Sequence, residues 1–363
     1  MKLICQSCHR EYNSSDLVWH CHCGGLLRLQ FQARFPIEKI QKRKPTLWRY
    51  REAIPIDQKQ NIISFDEGFT PLVTEQFFGK KILLKQDYLF PTGSFKDRGA
   101  SVLMSKIKEL GITTVVEDSS GNAGAAIAGY CAKANIRCHI YVPEKTSAEK
   151  LLQIKQYGAF LHKIGGTREL TAEAALKHAQ KIYYASHYWN PYFFQGTKTF
   201  IFEVVEQLGW RRPDVLFLPV GNGTLLLGCF IGLQELQQED VIDTLPKIIG
   251  VQAGNCAPLA YSWNTHSDIG SYPVVKSTIA EGIAIRNPIR AYDILDAVKK
   301  TKGTFITVTE REISAALSYS MHKGYYIEPT SAVAIAGFKK YPLKKDDDVV
   351  VPLTGHGLKA KNH

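Results

Sequence analysis

Short runs of β-branched and aliphatic residues recur along the chain and read as strands. They are "KILLK" (81–85), "TTVVED" (113–118), "RCHIYV" (137–142), "DVLFLPV" (214–220), "KIIGVQ" (247–252), "TFITVT" (304–309) and "DVVVPL" (348–353). Between them, apolar positions recur with helical spacing, clearest over Gly124–Ala134, Thr167–Gln180 and Thr197–Leu208. Alternation of strand and helix predicts βαβ units, hence parallel sheets covered on both faces. In such sheets ligands gather at the carboxyl ends of the strands, where the chain turns into the next helix. No internal repeat or low-complexity tract interrupts the pattern. No apolar run approaches the roughly 18–20 residues that a membrane helix needs.

The first 30 residues follow a different rule. Their "CQSCHREYNSSDLVWHCHCGGLL" holds Cys5 and Cys8 in a C-x2-C pair and Cys21 and Cys23 in a C-x-C pair. Four thiolates in two pairs suit a tetrahedral zinc ion, and Gly24-Gly25 lets the backbone fold closely around it. His9, His20 and His22 are alternative ligands. A segment this short gains its folding energy from the metal, so Zn2+ is expected here as a structural ion; the alternative is an eroded, metal-free ribbon. The remaining cysteines (Cys131, Cys138, Cys229, Cys256) are scattered and read as reduced, buried thiols.

At 363 residues the chain is long enough for two domains and a small extra module. Charged residues make up 22% and hydrophobic residues 45%, as in ordinary globular proteins. The N-terminal "MKLICQSCHREY" lacks the apolar core of a signal peptide, and a cytoplasmic location is expected. A net charge of +11 fits a solvated basic surface or a preference for phosphates and carboxylates. The basic run over 38–52 leaves nucleic acid as a minor alternative partner.

Four strand-to-helix turns carry candidate chemistry. "PTGSFKDRGA" (91–100) sets Lys96 after a glycine turn, where a helix dipole disfavours an ammonium and suits an amine that must attack a carbonyl. "DSSGNAGAAIAGYCA" (118–132) aims the amides and hydroxyls of Ser119, Ser120, Gly121, Asn122 and Ala123 at an anion. "PVGNGTLLLG" (219–228) offers the amides of Gly221, Asn222, Gly223, Thr224 and Leu225 to a phosphate. Its spacing fits neither a dinucleotide fingerprint nor a Walker loop. "VVVPLTGHGLK" (349–359) places the neutral hydroxyl of Thr354 at a strand end. Taken singly, each has an ordinary reading as a capped helix or a turn. Together they are the parts that hold pyridoxal phosphate: a lysine, a phosphate cradle, and partners for the ring hydroxyl (Asn122) and ring nitrogen (Thr354).

The same stretches, with "EGFTPL" (67–72), "GTKTFIFEVVEQLG" (196–209) and "YYIEPTSAVAIAG" (325–337), resemble pyridoxal-phosphate enzymes of fold type II, the tryptophan-synthase-β fold, and among them the threonine synthases. The resemblance implies two three-layer α/β/α domains after the zinc-ribbon-like module of residues 1–30. The larger would hold 31–85 and 200–363, including the phosphate loop; the smaller would hold 86–199. It further implies Lys96 as the lysine bonded to the cofactor, a small amino acid as substrate, and a homodimer.

One stretch departs from the family. Threonine synthases commonly read N-S-x-N-P-x-R-x-E-G-Q-K-T, where Asn, Ser and Arg bind the phosphate of O-phosphohomoserine. Here it reads "HYWNPYFFQGTKT" (187–199). His187 and Tyr188 stand for Asn and Ser, and Phe193 for Arg, which removes a bidentate phosphate contact. The resemblance thus implies a lyase acting by β/γ-elimination or replacement, with its substrate contacts (Ser119, Ser120, Gly121, Ala123, His187, Tyr188, Phe193) altered at the second phosphate. "SSGNAG" and "AEGIAI" (280–285) also resemble serine and threonine dehydratases. The alternatives are therefore a dehydratase-like deaminase, or a nucleic-acid-binding zinc-ribbon module on an inactive body.

Overall fold

The computed structural model describes residues 1–273 and 275–360, with the backbone alone at 149 and 150. The chain divides into two compact units, Met1–Gly68 with Lys96–Thr199 and Phe69–Phe95 with Phe200–His363. These boundaries differ from the sequence expectation: residues 86–95 group with 200–363, and residues 1–30 are not a separate unit. Residues 31–68 join the unit of Lys96, because Leu47 and Ile54 pack on Val102 and the Leu47 N–H donates to the Glu67 carbonyl.

The first unit is built on a four-stranded parallel sheet in the order Phe160–Ile164, Arg137–Pro143, Thr114–Glu117, Tyr183–Tyr184. Each strand leads into a helix: Arg168–His178, Ala148–Gln156, Asn122–Ala134 and Pro191–Thr197 in the same order. Alanine and glycine dominate "NAGAAIAGYCAKA", so helix Asn122–Ala134 lies close against helix Lys96–Glu109. Two of these strands escape the sequence pattern. Tyr183–Tyr184 is too short to show a period, and Phe160–Ile164 is half-exposed and carries His162 and Lys163.

Residues 1–30 form a three-stranded antiparallel sheet, Glu11–Asn13, Lys2–Cys5, Leu27–Gln30. It does not stand apart. Leu3, Cys5, Cys21 and Leu27 belong to one buried cluster with Tyr130, Tyr183, Tyr192 and Phe193. Trp19 sits edge-on to Tyr184 at 4.9 Å and to Trp189 at 5.5 Å.

The second unit has a six-stranded sheet in the order Thr304–Val308, Lys247–Ala253, Val215–Pro219, Val349–Pro352, Lys80–Lys85, Leu72–Phe77. All neighbours are parallel except the last pair, joined by a two-residue hairpin at Phe78 and Gly79. Both have positive φ (53° and 74°), as a turn matched to strand twist requires. Val215–Pro219 and Val349–Pro352 are wholly buried, hence their unbroken apolar sequence.

The expected helix over 197–208 is found as Thr199–Gln207, and a further helix, Pro191–Thr197, precedes it. Asn190 caps the preceding helix, its side chain accepting from the Tyr192 N–H, with Pro191 in the first turn. The hydroxyls of Thr197 and Thr199 bond back to the carbonyls of Phe194 and Gly196 at the junction, a contact that bends helices. No helix among the described residues is long and apolar enough to cross a membrane.

Candidate active site

Lys96 is the first residue of helix Lys96–Glu109, as its place after the Gly93 turn predicts. Gly93 has φ +83°, which favours glycine. The next two residues, Asp97 and Arg98, are fully buried, and Arg98 donates to the Thr199 hydroxyl at 3.1 Å. They anchor the helix start, while Lys96 is half-buried with its Nζ 5.8 Å from the centre of the Phe193 ring. Glycine makes this approach possible. A Cβ on Gly99 would strike the Phe193 ring, and one on Gly196 would strike the Arg98 carbonyl.

Strand Thr114–Glu117 delivers the second turn. Gly121 is the N-cap of helix Asn122–Ala134, with no side-chain hydrogen bond at the cap. The Gly121 N–H donates to the Ser119 hydroxyl at 3.3 Å. A Cβ on Gly124 would run into the Ser119 carbonyl, so the turn closes tightly over the helix start. Asn122, half-buried, opens that helix, with Ala123 buried behind it.

At the same strand end the structure holds two acids that the sequence reading passed over. Glu117 and Asp118 are both buried. His187 Nδ1 lies 2.6 Å from Glu117 Oε1. Tyr184 and Tyr188 donate their hydroxyls to Asp118 Oδ1 and Oδ2, at 2.7 and 2.8 Å. Burial, then the Asp118 charge, raises Glu117 well above the carboxylate range. Burial, then the charges of Lys96 and Arg168, lowers His187 well below the imidazole range. Both partners therefore rest in their neutral forms, the carboxyl donating to Nδ1. Burial, followed by the Asp118 charge, also raises Tyr184 and Tyr188 far above ordinary phenols, so they remain donors. Strand pairing Val115↔Tyr183 and Val116↔Tyr184 brings these groups together. The clue in the sequence was the "ED" that ends a strand just ahead of the "SSGN" turn.

In the second unit, strand Val215–Pro219 leads through Gly221 to helix Thr224–Gln238. Gly223 is its N-cap with φ +72°, and again no described side chain caps the helix. A Cβ on Gly221 would meet the Ile283 backbone, and one on Gly223 would meet Ile294. The loop is thus a backbone cradle walled by isoleucine, with Thr224 and Leu225 buried in the first turn and Asn222 half-buried. Thr354 follows strand Val349–Pro352 and is 1% exposed. Its hydroxyl donates to Glu328 Oε1 at 2.8 Å and lies 2.9 Å from Ser331 Oγ, which accepts from the Thr354 N–H. The Ser94 hydroxyl is fully buried and has no hydrogen-bond partner among the described residues.

The four N-terminal cysteines converge, their Sγ atoms all within 4.8 Å of one another. Tetrahedral zinc with about 2.3 Å bonds needs sulfurs about 3.8 Å apart; Cys5–Cys23 and Cys8–Cys21 are each at 3.5 Å. The Tyr12 hydroxyl, 3.1 Å from Cys21, draws that thiol down to about 6 against its desolvation, which favours thiolate. Gly25 is needed here, since a Cβ would strike Cys5 Sγ. His20 instead places Nδ1 2.6 Å from the Cys21 carbonyl.

A lysine at a helix start and two uncapped amide-lined turns are what a phosphorylated aldehyde cofactor requires, and comparison with known proteins agrees. Residues 63–355 match the model of the family described as pyridoxal-phosphate dependent enzyme, and the chain belongs to that family. Within it, the chain is an enzyme of the threonine-synthase type. It is 35% identical to the threonine synthase of Methanocaldococcus jannaschii, over 98% of this chain and 92% of the relative. It is 33% identical to that of Methanosarcina acetivorans, over the same shares of both chains. Among solved structures, threonine deaminase isoform 2 of Solanum lycopersicum aligns with a TM-score of 0.68 at 22% identity, covering 92% of this chain and 88% of that one. Serine racemase of Dictyostelium discoideum aligns with a TM-score of 0.66 at 26% identity, covering 87% and 99%.

The residues present fit pyridoxal phosphate. The turn before helix Thr224–Gln238 has no side-chain hydrogen bond at its cap and glycines where a Cβ would strike Ile283 and Ile294, a backbone that suits a phosphate, and the orphaned Ser94 hydroxyl can still donate.

Proposed function

We propose that the protein is a pyridoxal-phosphate-dependent lyase that acts on a small amino acid by β/γ-elimination or replacement, with Lys96 as the residue bonded to the cofactor. When bound, the cofactor supplies an electron sink for charge developing at the substrate α-carbon. Lys96 would be the base that takes the α-proton. Ser119, Ser120, Gly121 and Ala123 hold the α-carboxylate at the uncapped helix start. Asn122 meets the ring hydroxyl, Gly221 to Leu225 take the cofactor phosphate, and Thr354 meets the ring nitrogen. The cysteine cluster would hold a structural Zn2+.

The observation that carries this reading is that Lys96 opens a helix lying against the helix whose N-terminus is the Ser119–Ala123 turn. One unit thereby offers both an amine and a carboxylate site. The family reaction of the relatives' name, formation of threonine, is one outcome. A dehydratase-like deamination is the second, favoured by Phe193, which is buried beside Lys96 and cannot hold a phosphate. A purely nucleic-acid-binding role is not favoured, since the cysteine module shares its core with the body.

The test is to load the protein with cofactor and record its visible absorbance. Lys96→Ala should abolish the lysine-linked band. Phosphate and keto acid are then assayed with O-phosphohomoserine, L-threonine and L-serine. No band in the wild type, or an unchanged band in Lys96→Ala, would sink the assignment.

A further inference from the structure

The Glu117–His187 pair does nothing in the chemistry above, yet it is a buried ionisable pair close enough to Lys96 to feel its charge. Glu117 Oε2 is fully buried and has no hydrogen-bond partner among the described residues. Both members feel the Lys96 charge. Phe193 lies beside both sides of this arrangement, its ring 6.0 Å from that of His187 and 5.8 Å from Lys96 Nζ. Among the described residues, the other titratable and charged groups facing the pair include Asp118, Tyr184, Tyr188, the Cys138 thiol and Arg168, the last exposed at the start of its helix.

Consider what such a wall can recognise. Phe193 has no donor. Asp118 brings an acceptor-only group whose two oxygens are taken by Tyr184 and Tyr188. The imidazole lies against a carboxyl group and carries no charge with which to hold an anion. A phosphate ester brought here would face the Asp118 carboxylate at short range in a low-dielectric wall. A hydroxyl would meet complementary groups: it can donate to the unpartnered Glu117 Oε2 and accept from the Nε2–H that His187 carries when Nδ1 is the acceptor.

We propose that Glu117 and His187, with Phe193, read the side-chain substituent of the substrate, and that they select an amino acid bearing an uncharged hydroxyl over its phosphorylated counterpart. This rests on the reading that Lys96 carries the cofactor. Removing the carboxyl while keeping the amide-to-imidazole hydrogen bond should weaken recognition of the hydroxyl without disturbing the cofactor.

The experiment is a titration of the cofactor-loaded protein, followed by cofactor absorbance, with L-serine, L-threonine and L-homoserine beside O-phosphoserine and O-phosphohomoserine. At least one hydroxy amino acid should half-saturate at a concentration tenfold or more below its phosphorylated form. Glu117→Gln should raise that concentration about tenfold while the band of the free protein stays in place. His187→Gln is the second variant and should act in the same direction. If the phosphorylated compounds saturate first, the proposal is overturned, and loss of that binding in Arg168→Ala would identify the clamp instead. If Glu117→Gln and His187→Gln both fold, keep the band and leave hydroxy-amino-acid binding unchanged, the pair is structural and the proposal fails. Absence of the band in the wild type would overturn the cofactor assignment rather than the substrate one.

Discussion

Lys85 Nζ lies 2.8 Å from Glu203 Oε2, with both side chains fully buried. Lys85 ends strand Lys80–Lys85, and its ammonium also donates to the Thr70 carbonyl at 2.6 Å and to Gln207 Oε1 at 2.8 Å. The ion is thereby saturated, as a buried cation must be. Removing one partner strands the other. Glu203→Leu should destabilise the fold by about 3–5 kcal/mol, whereas Lys85→Met with Glu203→Leu should recover most of that loss. Urea unfolding of the three proteins checks this; equal losses for single and double variants would contradict it.

The glycines that admit Phe193 and Arg98 make a graded prediction. Gly99→Ala meets an aromatic ring, which can shift; Gly196→Ala meets a backbone carbonyl, which cannot. Overpacking of this kind costs about 1–3 kcal/mol, and Gly196→Ala should be the worse of the two. Because Gly99 lies one helical turn from Lys96, both variants should also bind the cofactor more weakly. Thermal unfolding and cofactor titration measure the two effects separately.

Stability should carry the mark of the neutral Glu117–His187 pair. Unfolded, Glu117 ionises near 4.5, while the folded carboxyl keeps its proton, so stability falls as pH rises above that value. Unfolded, His187 takes up a proton below 6.5, while the folded ring does not, so stability falls as pH drops below that value. Between the two the slopes cancel and the pair contributes most. Relative to Glu117→Gln, the wild type should lose about 1.4 kcal/mol per pH unit above pH 4.5 until the folded carboxyl ionises. Urea midpoints from pH 5 to 8 give the slope, and the opposite sign would mean that Glu117 is ionised in the fold.

Metal removal should be felt well beyond the four cysteines. A metal present at a thousand times its dissociation constant contributes about 4 kcal/mol to the folded state. Chelation, or Cys21→Ser, should lower the melting midpoint. It should also change tryptophan emission, since Trp19 packs on Trp189. Absence of bound zinc would argue for a metal-free module, and unchanged emission and stability after zinc is lost would show that the ion does not support the fold.

Much of the fold was open to reading because buried parallel strands are unbroken apolar runs. Val215–Pro219 and Val349–Pro352 are of that kind. The turns at Gly93, Gly121 and Gly223 were visible because glycine marks them. What escaped depends on pairing rather than local pattern. Tyr183–Tyr184 is a strand through its register with Val115 and Val116. Glu117 and His187 are 70 residues apart, and neither is unusual until that register sets them together. The stretch 187–199 announced its aromatic content, but the acids behind it did not. The helix Pro191–Thr197, ahead of the expected one, was written in Asn190 and Pro191, a cap and first turn.

The seating of Trp19 against Tyr184 and Trp189 makes the amino-terminal module a cover rather than an appendage. The surface beneath it also includes Tyr183, whose hydroxyl donates to the Val18 carbonyl, and Tyr192, whose hydroxyl donates to the Ser14 carbonyl. A chain begun at residue 31 would therefore expose a contiguous aromatic face, the kind of patch that drives self-association. Loss or relocation of this module during divergence would have to be accompanied by polar replacements at 184, 189 and 192, so the two ends of that contact are constrained to change together.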